Sequence, residues 1–216
     1  GTVVLEAPSP VVLEAASSPV ACFGGTGGRV ELSPSGGTGS GYRLFFNGAE
    51  IQGTTVEGLR AGTYTAFAMN GSCRSEDISI QVTQPAAPLS GTVAYPENLS
   101  CPGDAGTVTL QVSGGTAPYT AIFNGQTYAV SVPGEQLFPG VVAGSYSIQL
   151  SDAAGCTWET SIVVEEPEAL EIVLENRANV SCFNGEDGSL TVLASGGTGT
   201  FQYLWKDATG QQIGTG

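Results

Sequence analysis

The chain resembles itself, and this constrains its fold more than any single residue does. Ser35-Gly36-Gly37-Thr38 returns as Ser113-Gly114-Gly115-Thr116 and again as Ser195-Gly196-Gly197-Thr198. Cys22, Cys101 and Cys182 keep nearly the same interval. Gly62-Thr63-Tyr64 becomes Gly144-Ser145-Tyr146, and Gln84-Pro85 becomes Glu166-Pro167, both at that step. Landmarks in one order at one period, here about 80 residues, mark a tandem array of small domains. The period divides the chain into the end of a preceding repeat over 1–8, repeats over 9–86 and 87–168, and an incomplete third over 169–216.

Each unit reads as short strands. In the first, Val11–Ala16 is an apolar run, and Arg29-Val30-Glu31-Leu32 alternates as a half-buried strand should. Tyr42–Phe46 leads into Asn47-Gly48, a strong hairpin signal, and then Ala49-Glu50-Ile51. Thr54-Thr55-Val56, Thr63–Ala68 and Asp77–Val82 complete the set, and Gln84-Pro85 ends it. The second unit repeats the scheme with Thr107–Leu110, Tyr119–Phe123, Asn124-Gly125, Tyr146–Leu150 and Thr160–Val164. About seven strands per repeat, with closely spaced turns, predict an all-β fold. The architecture expected is a tandem array of immunoglobulin-like or fibronectin-III-like antiparallel sandwiches. Tyr64 and Tyr146 open the sixth strand, where such domains place a corner tyrosine with a structural role.

Composition removes several functions. Net charge is −14, with Lys206 the single lysine, so the surface repels phosphate backbones and anionic lipid; neither nucleic acid nor a membrane is an expected partner. No apolar run approaches the 18 or so residues a membrane helix needs. Histidine is absent, and the acidic residues form no pair that recurs between units, so the expectation is a protein that is not an enzyme. The Ser-Gly-Gly-Thr loops lack a following Gly-Lys-Ser/Thr and lead into strands, so they are turns rather than phosphate cradles.

The order of cysteine, Gly-rich turn, Ser-Gly-Gly-Thr, aromatic strand, Ala-Gly-Thr/Ser-Tyr, Gly-Cys and Gln/Glu-Pro resembles the SprB repeat. The second unit carries it best, in Cys101–Gly106, Ser113–Tyr119, Ala143–Tyr146 and Asp152–Cys156. The third keeps Cys182–Gly188 and Phe201–Trp205, while the first departs most, with Gly24-Gly25-Thr26-Gly27-Gly28 where the others carry acids. The resemblance implies a very large adhesin or filament on the surface of a gliding bacterium of the Bacteroidota, exported by the type IX route. Its partners would be neighbouring repeats of the same chain, surface polysaccharide or other cells, and the secretion or motility machinery. No catalytic residue and no cofactor carries over.

In an exported chain, Cys22, Cys73, Cys101, Cys156 and Cys182 are disulfide candidates. Two connectivities stand open. One bridge per repeat would join Cys22 to Cys73 and Cys101 to Cys156. However, the second and sixth strands of an immunoglobulin-like order run the same way, which places the two cysteines of a repeat at opposite ends. A six-residue strand spans roughly 20 Å, whereas bridged Cα atoms stay within about 7 Å. The alternative joins Cys22 to Cys156 across consecutive repeats. Trp205 aligns with Phe46 and Phe123, a core position rather than a sugar platform. Asp104, Glu186 and Asp187 lie in equivalent loops and are candidate calcium ligands at a junction, although the first repeat has no acid there. Asn70, Asn98 and Asn179 head Asn-x-Ser triplets, which carry little meaning in a bacterial protein.

The functional expectation is a non-catalytic stalk segment. Its rivals are an array of polysaccharide-binding modules and the spacer of a large secreted enzyme.

Overall fold

A computed structural model describes residues 7–95, 99–131 and 133–215. The expected repeat tail over 1–8 falls largely outside them, as does Asn98. Among the described residues every regular element is a strand, and no helix is long and apolar enough to cross a membrane.

The first repeat holds β1 (Ser9–Ser18), β2 (Gly28–Gly37), β3 (Tyr42–Phe46), β4 (Ala49–Ile51), β5 (Thr55–Leu59), β6 (Gly62–Asn70), β7 (Cys73–Arg74) and β8 (Ile78–Val82). One sheet runs β1-β2-β5; the other runs β4-β3-β6-β7, with β8 also paired to β6. These pairings are all antiparallel. Val30 and Leu32 of β2 face Leu44, Phe46, Ala66, Ala68, Ile80 and Val82 of the other sheet in one buried cluster, with Val11 and Leu13 beside them. Alternation explains the choice: β2 buries Gly28, Val30 and Leu32 and leaves Arg29, Glu31 and Ser33 outside. This is the two-sheet antiparallel sandwich expected.

The second repeat holds β9 (Ser90–Ala94), β10 (Gly106–Ser113), β11 (Tyr119–Phe123), β12 (Gln126–Val130), β13 (Gly134–Val141), β14 (Gly144–Asp152) and β15 (Thr157–Val164). Its sheets, β13-β10-β9 and β12-β11-β14-β15, copy the first repeat's order. Register is copied too. Tyr42 faces Asn70 and Phe46 faces Ala66; correspondingly Tyr119 faces Asp152 and Phe123 faces Ile148. Both Asn-Gly hairpins form as expected, with Asn47 and Gly48 at φ +48° and +81°, and Asn124 and Gly125 at +48° and +75°. β9 and β12 are the counterparts of β1 and β4, strands that the repeated scheme implies without giving their residues.

In the third repeat β16 (Glu171–Ala178) pairs with β17 (Ser189–Ser195), and β18 (Leu204–Lys206) with β19 (Gln212–Thr215). Ile172 and Leu193 are 65% and 59% exposed, whereas Leu13 and Leu32 in the first repeat are 4% and 1%. The strands that cover such residues in the first repeat, β6 and β8, have no counterpart here among the described residues.

By packing, the chain forms two compact units. One comprises Gly1–Thr92, Gln111–Gln136 and Ile148–Thr160; the other comprises Val93–Leu110, Leu137–Ser147 and Ser161–Gly216. The disulfide described next lies within the first.

Candidate functional site

The Ser-Gly-Gly-Thr signature is a clasp. Its first glycine passes so close to the preceding strand that a Cβ on Gly36 would lie 1.9 Å from the Pro10 carbonyl oxygen. Gly114 repeats this at 1.9 Å from the Pro88 oxygen, and Gly196 at 2.0 Å from that of Ala169. All three glycines have positive φ. The second glycine makes room for a polar side chain at the end of the sixth strand. A Cβ on Gly37 would meet Asn70 Oδ1 at 2.6 Å, and one on Gly115 would meet Asp152 Oδ2 at 2.7 Å. The threonine then donates its backbone N–H to that same oxygen, Thr38 to Asn70 at 2.9 Å and Thr116 to Asp152 at 2.8 Å. Tyr42 and Tyr119 close the turn by donating O–H to the carbonyls of Gly36 and Gly114.

The sequence sets Asn70 and Asp152 at the same place in their repeats, at the same step as Tyr64 and Tyr146, but assigns neither a part in the turn. Asn70 is 5% exposed and also donates to the Ser40 carbonyl, so its glycosylation triplet is structurally occupied. Asp152 accepts from Ala154 N at 3.0 Å and Cys156 N at 2.8 Å with its second oxygen. Asp152→Ala is expected to cost about 2–3 kcal/mol, because three backbone donors lose their acceptor. Asp152→Asn, the first repeat's own solution, should lose about half of that, read from urea midpoints.

Tyr64 and Tyr146 lie near the start of β6 and β14. Tyr64 O–H donates to the Arg60 carbonyl at 2.9 Å, and Tyr146 O–H to that of Val142 at 3.0 Å. Tyr146→Phe is expected to lower stability by about 1 kcal/mol in denaturant titration. Gln84 and Glu166 brace the loop that carries the first cysteine of their own repeats. Gln84 Oε1 accepts from Gly24 N at 2.8 Å, and Glu166 Oε2 from Gly103 N at 2.6 Å.

Of the two connectivities left open, the structure holds Cys22–Cys156, with Cα atoms 5.7 Å apart. Neither within-repeat bond forms: Cys73, Cys101 and Cys182 are free and exposed. Strand direction is the reason. The Cys22 loop lies where β8 ends, since Val20 N donates to the Thr83 carbonyl, and β8 ends beside the start of β6, with Gly62 opposite Val82. Cys73 follows the far end of the nine-residue β6, roughly 30 Å away. The chain leaves the first repeat at the Cys22 end. It begins the second at the Ser-Gly-Gly-Thr end, where Gly115 N donates to the Ala87 carbonyl and where Cys156 stands.

Trp205 is half-buried in β18 opposite Gly214, at the position of the buried Phe46 and Phe123. Two of the calcium candidates serve their own loops: Asp104 accepts from Cys101 N at 2.8 Å, and Asp187 from Ser181 N at 2.9 Å. Hydrogen bonds from Ser181, through its side chain first, hold the Asp187 carboxyl below the usual aspartate range. Among the described residues no group of three or more His, Cys, Asp or Glu is placed to hold a metal.

The SprB repeat family matches residues 94–120 and 174–210 of this chain. The resemblance read from the sequence therefore holds in the second and third repeats. No curated protein matches significantly. Among solved structures, the I-band fragment I67-I69 from titin aligns at 15% identity over 98% of this chain and 83% of its own, with a TM-score of 0.44. The N-terminal eight Ig domains of Down Syndrome Cell Adhesion Molecule align at 14% identity over 77% of this chain, TM-score 0.37; this chain spans 25% of that one. The Bacteroides ovatus protein SGBP-B, solved with a mixed-linkage heptasaccharide, aligns at 17% identity over 80% of this chain and 56% of its own, TM-score 0.23. With these scores below 0.5, the sandwich rests on the strand pairing and core described above.

Proposed function

We propose that the chain is a non-catalytic structural segment of a large exported surface protein, in which consecutive sandwiches are covalently stapled to carry load. The observation that supports this best is Cys22–Cys156, which ties one repeat to the next rather than closing a repeat on itself. A disulfide also fits a location outside the reducing cytoplasm. SprB repeats are typical of cell-surface proteins; adhesion or gliding by type IX export rests on that resemblance alone. The short Gln84–Pro88 joint, with two prolines, leaves little slack between repeats.

Pulling the chain by its ends in a single-molecule force experiment tests this. The bond spans a separation of 134 residues, so oxidised molecules should hide about 450 Å of contour length that reduction releases. Equal lengths with and without reductant would refute the staple.

One feature favours the polysaccharide-binding rival. Phe45 and Phe67 stack at 4.5 Å on the outer face of β3 and β6, with Arg74 3.8 Å above Phe67. Ile122 and Gln149 hold the equivalent places in the second repeat, so the pair is not a repeated site. Under this rival, Phe67→Ala would abolish retention on immobilised polysaccharide; under the structural reading there is no retention to lose.

A further inference from the structure

Four Asn-Gly pairs stand in the sequence: Asn47-Gly48, Asn70-Gly71, Asn124-Gly125 and Asn184-Gly185. Asparagine is a thermolabile residue, and a glycine after it offers the least hindered backbone nitrogen for attack on the side-chain amide. That attack needs a side chain free to swing onto the backbone and an N–H free to lose its proton. Hydrogen bonds decide both, and they differ among the four pairs.

Three pairs are restrained. Asn70 is 5% exposed; its side chain accepts from Thr38 N at 2.9 Å and Thr38 Oγ1 at 2.7 Å, and donates to the Ser40 carbonyl. Asn184 is exposed, but the Gly185 N–H that would have to attack donates to the Cys182 carbonyl at 2.9 Å. Asn47 heads an exposed hairpin turn, yet its Oδ1 accepts from Thr65 N at 3.0 Å, which ties the side chain to β6. Asn124 is the counterpart of Asn47 in the second repeat, with the same φ of +48° and an equally exposed turn. Among the described residues its side chain has no hydrogen-bond partner. The two hairpins therefore differ in the one anchor that matters.

We propose that Asn124 is a modification site, the asparagine at which the folded chain deamidates first. Gly125 N loses its proton and attacks Asn124 Cγ, closing a succinimide ring, and the side-chain nitrogen leaves as ammonia. Water then opens either carbonyl of the ring, giving aspartate or isoaspartate. One water is consumed and one ammonia released, with no oxidant. Both products add a negative charge to a chain already at −14. Isoaspartate also lengthens the backbone of the turn that sets Phe123 opposite Gln126. It thereby loosens the register of β12, which lies at the edge of its sheet. This reactivity needs only the hairpin, and no load on the chain.

The test holds the intact chain, with Cys22–Cys156 formed, in warm, mildly alkaline buffer. Samples are digested at intervals, and the four Asn-Gly peptides are followed by mass spectrometry, with isoaspartate resolved by chromatography. Asn124 is expected to convert about fivefold faster than Asn47 or Asn184, the factor that one neutral hydrogen bond supplies. Asn70, held by three bonds, should lag by more than about tenfold. A sample reduced and unfolded in urea should lose the ranking, with all four sites within about twofold of one another, because the restraints are gone. Conversion of Asn47, Asn70 or Asn184 as fast as Asn124 in the folded chain would overturn the proposal. So would a ranking that survives in urea, since it would then belong to the sequence and not to the fold.

Discussion

Reduction of Cys22–Cys156, or its removal by Cys22→Ser, is expected to lower stability by about 2–5 kcal/mol. The chain-entropy treatment, applied to a separation of 134 residues, gives about 5 kcal/mol, the upper end of that range. For a chain of 216 residues this corresponds to a fall in Tm of roughly 10 °C. The shape of the transition should change too. A cross-link between repeats couples their unfolding, so the oxidised chain should lose its first two repeats together, and the reduced chain should lose them in separable steps. Cys73→Ser is the control. Its thiol is exposed and unbonded, so its denaturant midpoint should stay within about 0.5 kcal/mol of wild type. Calorimetry with and without reductant reads both effects.

Gly114→Ala is the second large effect, at about 3 kcal/mol or more, and it combines two contributions. Its φ of +67° costs an L-residue roughly 1–2 kcal/mol by itself. The added methyl would also sit 1.9 Å from the Pro88 carbonyl oxygen, a backbone atom that moves only if the opening of the repeat shifts away from the clasp. Gly125→Ala separates the two contributions. Gly125 has φ +75° but open space around it, so it should lose only the conformational part. Comparable urea midpoints for the two variants would show that the close approach contributes nothing.

Much of the fold was legible because local chemistry and tertiary structure agree. Asn47-Gly48 and Asn124-Gly125 adopt the positive φ values their hairpins need, and the alternation in Arg29–Leu32 already says which side faces the core. What stayed hidden depends on directions and on distant residues. The partner of Cys22 was half legible: strand direction already named Cys156 beside Cys73, but the choice turns on which end of a sandwich each strand reaches, and no local pattern decides that. The role of the second glycine in each clasp was equally out of reach, since Gly37 and Gly115 make room for Asn70 and Asp152, several strands further along. Gln84 and Glu166 were visible as the stop of a repeat, but their contacts with Gly24 and Gly103 reach back across the whole sandwich.

Mass-spectrometric mapping of disulfides, under non-reducing conditions with free thiols blocked at harvest, tests the central claim most directly. A Cys22–Cys156 peptide pair, with Cys73 and Cys101 unbonded to either, is the expected result. Recovery of Cys22 joined to Cys73 would show each repeat closed on itself and would contradict the account.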